Sequence, residues 1–575
     1  MPCRSVRGEP VVTIARLISA ASLVILFPFG AGYAWSQTPA PLAPQQDLDR
    51  LERPALIEEE ASDLQLPPVD RVTERPGELR DQVEFQLIAI DVTGATILQK
   101  EEIEALTNAY LNRPITLLDV QELSDAITTL YVQRGFLNSG ARIPDQDIGA
   151  GRLRIEVIEG TLGAIWVTGA AELGEAYVAD RLKAGLRSPL NLFALQDNFQ
   201  LLAEDDNIAE IDARIVPGSD PGVADLEVSV REQKPWRVAF SLGSERSPQT
   251  GGDRAGVDIE WRSAFVPGDR ILAGGGLGEG FNDVRLEYAA PLNARDWLIL
   301  LGYDRVEAEV VERPLEALEV ETDAETVRVD MIAPVHRRFG ENLSLGVGLE
   351  RRVTRTALFG QPFSFLPEAQ NGETEIVFAR LSQSYLRRGR HQALALQSTV
   401  NIGLDATEGQ PAAGRPDTHF LLWLGQARVL RRLTPQHQLN LEFDAQIGDG
   451  RQFSSMRYSL GGMDNVRGYR RGAVIGDDAV RASVELESRL PSQIGDVALP
   501  PLRSRLFVDA GRIWIADQEP GAPDTLAAVG VEIEWRVTEQ VQFLAYAAAR
   551  FGDRISPGER GLQDEGFGYR VRARF

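Results

Sequence analysis

The chain is poor in the residues that carry most covalent and metal chemistry: it has one cysteine, Cys3, and four histidines in 575 residues. A single thiol closes no disulfide within the chain. His336, His391, His419 and His437 are scattered without metal-ligand spacing, so no metal, no cofactor and no catalytic residue is expected. The glycine run "AGGGLGEG" at 273–280 lacks the Lys-Ser/Thr pair and the following helix of a phosphate loop, and reads as a turn or tight barrel segment. Positive charge is in deficit as well. Sixty Lys and Arg stand against 84 Asp and Glu, a net charge of -24, which argues against nucleic acid as a partner. Beyond the N-terminus no apolar run approaches the roughly 18 residues of a membrane helix. If the protein spans a membrane, it does so with strands.

What is present begins with a targeting pattern. Arg4 and Arg7 precede an apolar run from Leu17 to Phe29, and the small residues Ala31, Gly32, Ala34 and Ser36 follow, which reads as a secretory signal peptide over residues 1–36. Cleavage after Ala34 or Ser36 removes Cys3. Loss of Arg4, Arg7, Arg16 and Glu9 takes away a net +2, moving the charge from -24 to about -26. Residues 37–83 form an acidic, proline-rich linker, with a short helix expected from Gln45 to Ala61 and a proline-bearing stretch from Leu66 to Pro76. A disordered tether is the alternative.

From residue 84 the pattern becomes regular. "FQLIAIDVTG" reads as a strand, and Ile103, Leu106 and Tyr110 share one face of a helix. A second helix starts at Thr116, capped with Asp119, and carries Val120, Leu123, Ile127, Leu130 and Tyr131 until Gly135 stops it. Two strands, "FLNSGARI" and "GRLRIEVIEG", close the unit at residue 160. The order then repeats over 161–234: "IWVTG" matches "IDVTG" 75 residues earlier, helices are expected near Glu172 to Leu186 and Leu190 to Leu202, and strands "IDARIV" and "ADLEVSV" follow.

After Pro235 the helical period gives way to alternation. Val529, Val531, Ile533 and Trp535 interleave with Gly530, Glu532, Glu534 and Arg536, and Tyr569, Val571 and Phe575 share a face opposite Arg570, Arg572 and Arg574. A soluble sandwich also alternates. Charged residues along the second face suit a water-filled lumen better than a packed core. Residues 235–575 accommodate about 16 strands at roughly 10 residues per crossing plus turns. The expected fold is therefore a transmembrane β-barrel of about 16 antiparallel strands behind two small α+β domains.

The stretch "YSLGGMDNVRGYRRGAVIGDDAV" closely resembles the long-loop signature of the two-partner secretion transporters, the hemolysin secretion/activation branch of the outer-membrane barrel-assembly superfamily. Its core here is Val466, Arg467, Gly468 and Tyr469, preceded by Gly461 and Gly462. A second signature, F-x-D-x-G, stands as Phe507, Asp509 and Gly511. Upstream, Tyr131, Gly135, Phe136, Pro144, Gln146, Glu159 and Gly160 resemble the first polypeptide-transport-associated (POTRA) domain of that family. Asn465 replaces a common serine, and no clear copy of the family's plug helix is seen in 37–80. The resemblance implies that the loop folds into the barrel and sets Arg467 against Asp509 on the wall, and that Tyr569, Val571 and Phe575 form a C-terminal barrel signal. It further implies an outer-membrane location with both POTRA domains in the periplasm. The implied partners are a large secreted protein (adhesin, hemolysin or exoenzyme), outer-membrane lipid, and the barrel-assembly machinery during biogenesis. A barrel-assembly insertase is the nearest alternative; a passive porin and a soluble periplasmic enzyme are more distant ones.

Overall fold

The computed structural model describes residues 51–57, 84–407, 415–490, 493–494, 497–498, 501–516, 524–552 and 561–575. The signal peptide and most of the acidic linker lie outside the described residues.

The first α+β unit builds a three-stranded sheet covered by two helices. Strand Ala89–Thr93 pairs in parallel with Arg152–Ile158, and Gly140–Arg142 adds antiparallel on the other side. Helix Leu117–Gln133 begins where the sequence places it, because Thr116 and Asp119 satisfy each other's free backbone donors: Thr116 N donates to the Asp119 carboxylate at 2.7 Å, and Asp119 N to Thr116 Oγ1 at 3.3 Å. Its buried stripe of Val120, Leu123, Ile127 and Tyr131 packs on Leu153, Ile155 and Val157. The stretch "FLNSGARI" is a strand only at Gly140–Arg142. Phe136 to Ser139 instead form a turn, with Ser139 N donating to Phe136 O at 3.0 Å. The turn frees Asn138 to donate to the carbonyls of Thr161 and Gly222 in the second unit.

The second unit repeats the order. Thr161–Thr168 pairs in parallel with Val223–Glu232, and Ile208–Pro217 lies antiparallel on the far side. Its helices, Glu175–Lys183 and Leu192–Ala203, are shorter than the periodicity suggests. The second starts late because Asn191 caps it, accepting from the amides of Phe193 and Ala194 at 3.0 and 3.2 Å. This unit is fastened to the barrel's periplasmic turns: Arg181 Nη2 lies 2.7 Å from Asp296 Oδ1, and Arg388 pairs with Glu204.

Sixteen strands, from Trp236–Gly243 to Phe567–Arg574, close into one antiparallel barrel; the brief strand Gln361–Pro362 adds to its rim. The parity settles what surrounds it. Val529, Val531, Ile533 and Trp535 are 38–43% exposed, while Glu532 and Glu534 between them are 5% and 7% exposed. Apolar side chains face outward and carboxylates inward, the reverse of a soluble core and the arrangement that lipid outside and water inside require. A girdle of exposed aromatics, Trp236, Phe265, Trp297, Trp535 and Phe575, rings the periplasmic end, with Trp236 stacked on Trp261 at 4.6 Å. Strand Val320–Arg338 has 19 residues against the roughly 10 needed to cross, so its hairpin with Glu341–Leu358 stands well clear of the bilayer.

The barrel closes where its last strand meets its first. That seam has five registered pairs, from Arg570 with Gly243 to Arg574 with Ala239, against eight or more at most other junctions. Phe575 extends it by exchanging backbone hydrogen bonds with Val238 at 2.9 and 3.1 Å, and its ring meets Phe240 edge-on at 6.3 Å.

Candidate functional site: the lumenal loop and its wall

The loop joining strands His437–Gly448 and Asp478–Arg489 carries the sequence's most distinctive stretch. It is a hairpin of its own. Short strands Tyr458–Leu460 and Val474–Gly476 pair antiparallel, making 461–473 the tip. Gly461 and Gly462 open the tip, where Gly462 N donates to Tyr469 O at 3.1 Å. Asn465 Nδ2 ties the turn to Ser459 O at 2.7 Å. Val466 and Tyr469 are buried with Leu460, Val474, Ile513, Leu526 and Ala528, so a small apolar cluster seats the loop on the inner wall.

Arg467 is the centre of the site. Nε and Nη2 donate to the two oxygens of Asp509 at 2.8 and 2.9 Å, and the Arg467 backbone N adds a third bond to Asp509 at 3.1 Å. Nη1 reaches Glu532 at 3.2 Å and Nη2 reaches Glu485 at 2.7 Å. The guanidinium lies 3.5 Å above the Phe507 ring. Arg467 is 4% exposed and Asp509 0%, so the planar fork, the only side chain able to bind a carboxylate in two bonds and stack on an aromatic face at once, matters here more than its charge alone.

The F-x-D-x-G spacing is explained by strand parity. Phe507, Asp509 and Gly511 all point into the lumen from strand Leu502–Trp514, while Leu506 and Val508 are exposed on the outside. Phe507 supports the guanidinium, Asp509 binds it, and Gly511 leaves the space that Leu460 fills: a Cβ there would lie 2.8 Å from Leu460 Cδ2. Gly468 follows the same logic on the loop side, with φ of +89°, and a Cβ added to it would lie only 2.9 Å from Ala548 Cβ. Tyr469 finishes the contact with its hydroxyl 3.0 Å from both Ala527 O and Phe551 O, which share its one O–H proton.

Sequence reading missed the other occupant of the lumen. Residues 51–57 run through the barrel without helical structure, correcting the helix expected over Gln45 to Ala61 at these positions; the rest of that span lies outside the described residues. Leu51 N donates to Gln426 Oε1 at 3.0 Å, Arg53 pairs with Glu442 at 2.6 Å and Glu485 at 2.8 Å, and Ile57 N donates to Gly389 O at 3.2 Å. Pro54 removes a helical donor, and the wall supplies the bonds that a helix otherwise makes within itself. Arg428 and Arg481 complete the same carboxylate wall, with Arg481 Nη1 2.7 Å from Glu442 and 3.0 Å from Asp444. The signal that could have located these groups is the lumen-facing parity of Glu442, Asp444, Glu485 and Glu532.

The POTRA-pattern residues are joints. Tyr131 donates to Glu159 at 2.6 Å, and the same carboxylate accepts from Thr96 N, Thr96 Oγ1 and Ile97 N. Phe136 packs edge-on against Tyr131 at 6.2 Å. Gln146 brackets Arg154, accepting from its N at 2.6 Å and donating to its O at 2.7 Å, and also donates to Pro144 O. Gly135 O and Gly160 O accept from Leu192 N and Leu190 N at 2.8 and 2.7 Å, so both glycines tie the first unit to the second. Tyr569 and Val571 lie in the seam strand, and Phe575 stands 68% exposed at its periplasmic end.

A closed barrel with an apolar outer wall, a charged lumen entered by its own loop, and two periplasmic α+β units defines an outer-membrane barrel of the POTRA-bearing superfamily. Comparison with known proteins narrows this. The ShlB-type POTRA domain model matches residues 85–160, and the model described as haemolysin secretion/activation protein ShlB/FhaC/HecB matches residues 222–535. The chain belongs to that family, and it is an outer-membrane transporter. It is similar to the outer membrane transporter CdiB of Dickeya dadantii (strain 3937), at 22% identity over 476 residues covering 79% of this chain and 81% of the relative. It is also similar to the heme/hemopexin transporter protein HuxB of Haemophilus influenzae, at 21% identity over 426 residues and 72% of each chain. Among solved structures, CdiB from Escherichia coli shares the fold with a TM-score of 0.66 at 19% identity, covering 88% of this chain and 93% of that one. BamA from Haemophilus ducreyi lacking POTRA domains 1–3 gives a TM-score of 0.50 at 14% identity, over 86% of this chain and 100% of that one.

Proposed function

We propose that this transporter exports one large partner protein across the outer membrane by two-partner secretion, receiving it unfolded at the POTRA domains and passing it through the barrel. The observation that carries the reading is the Arg467–Asp509 contact: a loop whose two ends lie on the extracellular side reaches into the lumen and holds the wall by polar bonds that can be exchanged for others. A pore built for passive diffusion has no use for so many buried ion pairs on a movable element. The strands Gly140–Arg142 and Thr161–Thr168 are edges of their sheets, and Trp166 on the latter is 61% exposed. Such edges accept an extended chain through backbone hydrogen bonds that demand little particular sequence, while neighbouring side chains select. Export needs the strap 51–57, the loop, or both to leave the lumen. Folding of the passenger outside removes chain from the pore and gives the process its direction.

The test compares surface and supernatant proteins, and the outer-membrane barrel inventory, between a parent strain and strains carrying a deletion or Arg467→Ala. Loss of one large exported protein with other barrels unchanged is expected for both. Removing one member of a desolvated ion pair costs about 3–5 kcal/mol, enough to unseat the loop while the strand ladder holds the barrel. Normal export by Arg467→Ala removes the loop from the mechanism. A broad fall in many barrels makes the protein an assembly insertase instead.

A further inference from the structure

We propose that Arg470 is the clasp of the barrel's outer mouth: it binds the lumenal loop to two other extracellular loops as one lid, and it must release for a passenger to leave. The proposal rests on the export reading above.

Arg470 sits three residues from Arg467 in the sequence but binds different structure. Its Nη1 and Nη2 donate to the two oxygens of Glu312 at 3.0 and 3.1 Å, and its Nε and Nη2 donate to the two oxygens of Asp564 at 3.0 and 2.8 Å. One guanidinium is thus forked twice, and all three side chains are at most 8% exposed. Glu312 belongs to the loop between strands Leu298–Glu309 and Val320–Arg338, and Asp564 to the loop between Val541–Phe551 and Phe567–Arg574. Along the ring, six strands from Phe567–Arg574 to Leu298–Glu309 separate those loops; among the described residues Arg470 is the side chain that bonds both carboxylates, while Val311 N and Gln563 Nε2 tie the same loops to Gln249 O and to Ser244 O and Arg246 O.

The neighbouring residue extends the clasp over the seam. Arg471 N donates to Gln563 Oε1 at 2.9 Å, and Arg471 Nη1 donates to Glu245 O at 3.0 Å. Gln563 Nε2 in turn donates to Ser244 O and Arg246 O at 3.1 and 2.6 Å. Ser244 to Arg246 directly follow the first barrel strand, so these bonds hold the outer end of the junction that has five registered pairs. Arg467 and Arg470 both lie in the 461–473 tip, but Arg467 fixes it to the barrel wall and Arg470 fixes it to the two outer loops. The two can be broken separately.

The test uses the full-length purified protein in planar lipid bilayers, with secretion of the passenger followed in parallel. Arg470→Ala, and more weakly Glu312→Gln, should raise the frequency of large-conductance openings several-fold while the barrel keeps its heat-modifiable migration on gels. Arg470→Lys should open the channel less often than Arg470→Ala and more often than the parent, because an ammonium keeps the charge and three donors but lacks the planar fork for two bidentate pairs. A channel record unchanged from the parent in Glu312→Gln and Arg470→Ala overturns the clasp. Should Arg470→Ala fail to assemble, Glu312→Gln decides alone. Glu312→Cys with Arg470→Cys then tests release: the chain's one native cysteine is Cys3, and joining the pair with a flexible bismaleimide should abolish export. Undiminished export with the pair joined overturns the claim that release is needed. The bilayer record tests the clasp and the secretion assay tests the export reading, so the two fail separately.

Discussion

Glu485 is shared between Arg53 and Arg467: its Oε2 lies 2.8 Å from Arg53 Nη1, and its Oε1 lies 2.7 Å from Arg467 Nη2. One carboxylate on the wall therefore binds both elements that occupy the lumen. Displacing the strap frees half of Glu485, and displacing the loop frees the other half, so each movement changes the electrostatics felt by the remaining element.

Truncation at Arg53 isolates the strap's share. The Arg53 side chain keeps 37% exposure although Glu442 and Glu485 are at 1%, so water screens the pair from its side. Arg53→Ala is expected to weaken seating of residues 51–57 by about 1 kcal/mol, roughly a five-fold gain in opening. Amide hydrogen exchange at Leu51 and Ile57 reads this directly. Unchanged exchange at both amides means that the strap is held by its backbone bonds alone.

Gly511 offers a steric test of the same seat. Gly511→Val places methyl groups where Leu460 packs, and overpacking of this kind costs about 1–3 kcal/mol. The expected result is a folded barrel whose loop is pushed off the wall, seen as lost export with normal barrel migration. A double variant, Gly511→Val with Leu460→Ala, should recover part of the export. If the single variant exports normally, the close approach of loop and strand has no functional weight.

Acid should loosen the first POTRA domain through Glu159. Burial works to raise this carboxyl, and hydrogen bonds from Thr96, Tyr131 and Ile97 outweigh it, holding Glu159 below the usual glutamate range. Burial, then the bond to Glu159, pushes the Tyr131 hydroxyl well up, so it remains a donor. A carboxyl depressed in the folded state contributes stability above its unfolded value of about 4.3, and that stability is lost as pH falls through the folded value. Protection of the Thr96 and Ile97 amides, corrected for intrinsic exchange, should therefore drop below about pH 4 and stay flat above it. Glu159→Gln should flatten the profile. Equal protection at neutral and strongly acid pH in the parent rules out the carboxylate as the joint.

Much of this architecture is legible in the sequence because its signals are local. Period-two alternation from Pro235 onward, the Thr116–Asp119 cap and the repeated β-α-α-β-β order each depend on neighbours within a few positions. Phe507, Asp509 and Gly511 are legible as one face for the same reason. The pairings of the lumen are not local. Alternation shows that Glu485 and Glu532 face inward, but which arginine they meet depends on strand register and on the path of a 461–473 tip that has no periodicity. The strap is the extreme case, since nothing near "LERPAL" distinguishes a helix in solution from a chain bound to a wall, and its partner Glu442 is 389 residues away.

That separation orders assembly in time. Arg53 lies early in the chain, yet every carboxylate it binds comes from the last quarter of the sequence, on strands His437–Gly448 and Asp478–Arg489. Contacts of such long range form last, because the entropy of closing the intervening loop must be met first. During biogenesis Arg53 can therefore take its seat only when the C-terminal strands that carry Glu442 and Glu485 are in place.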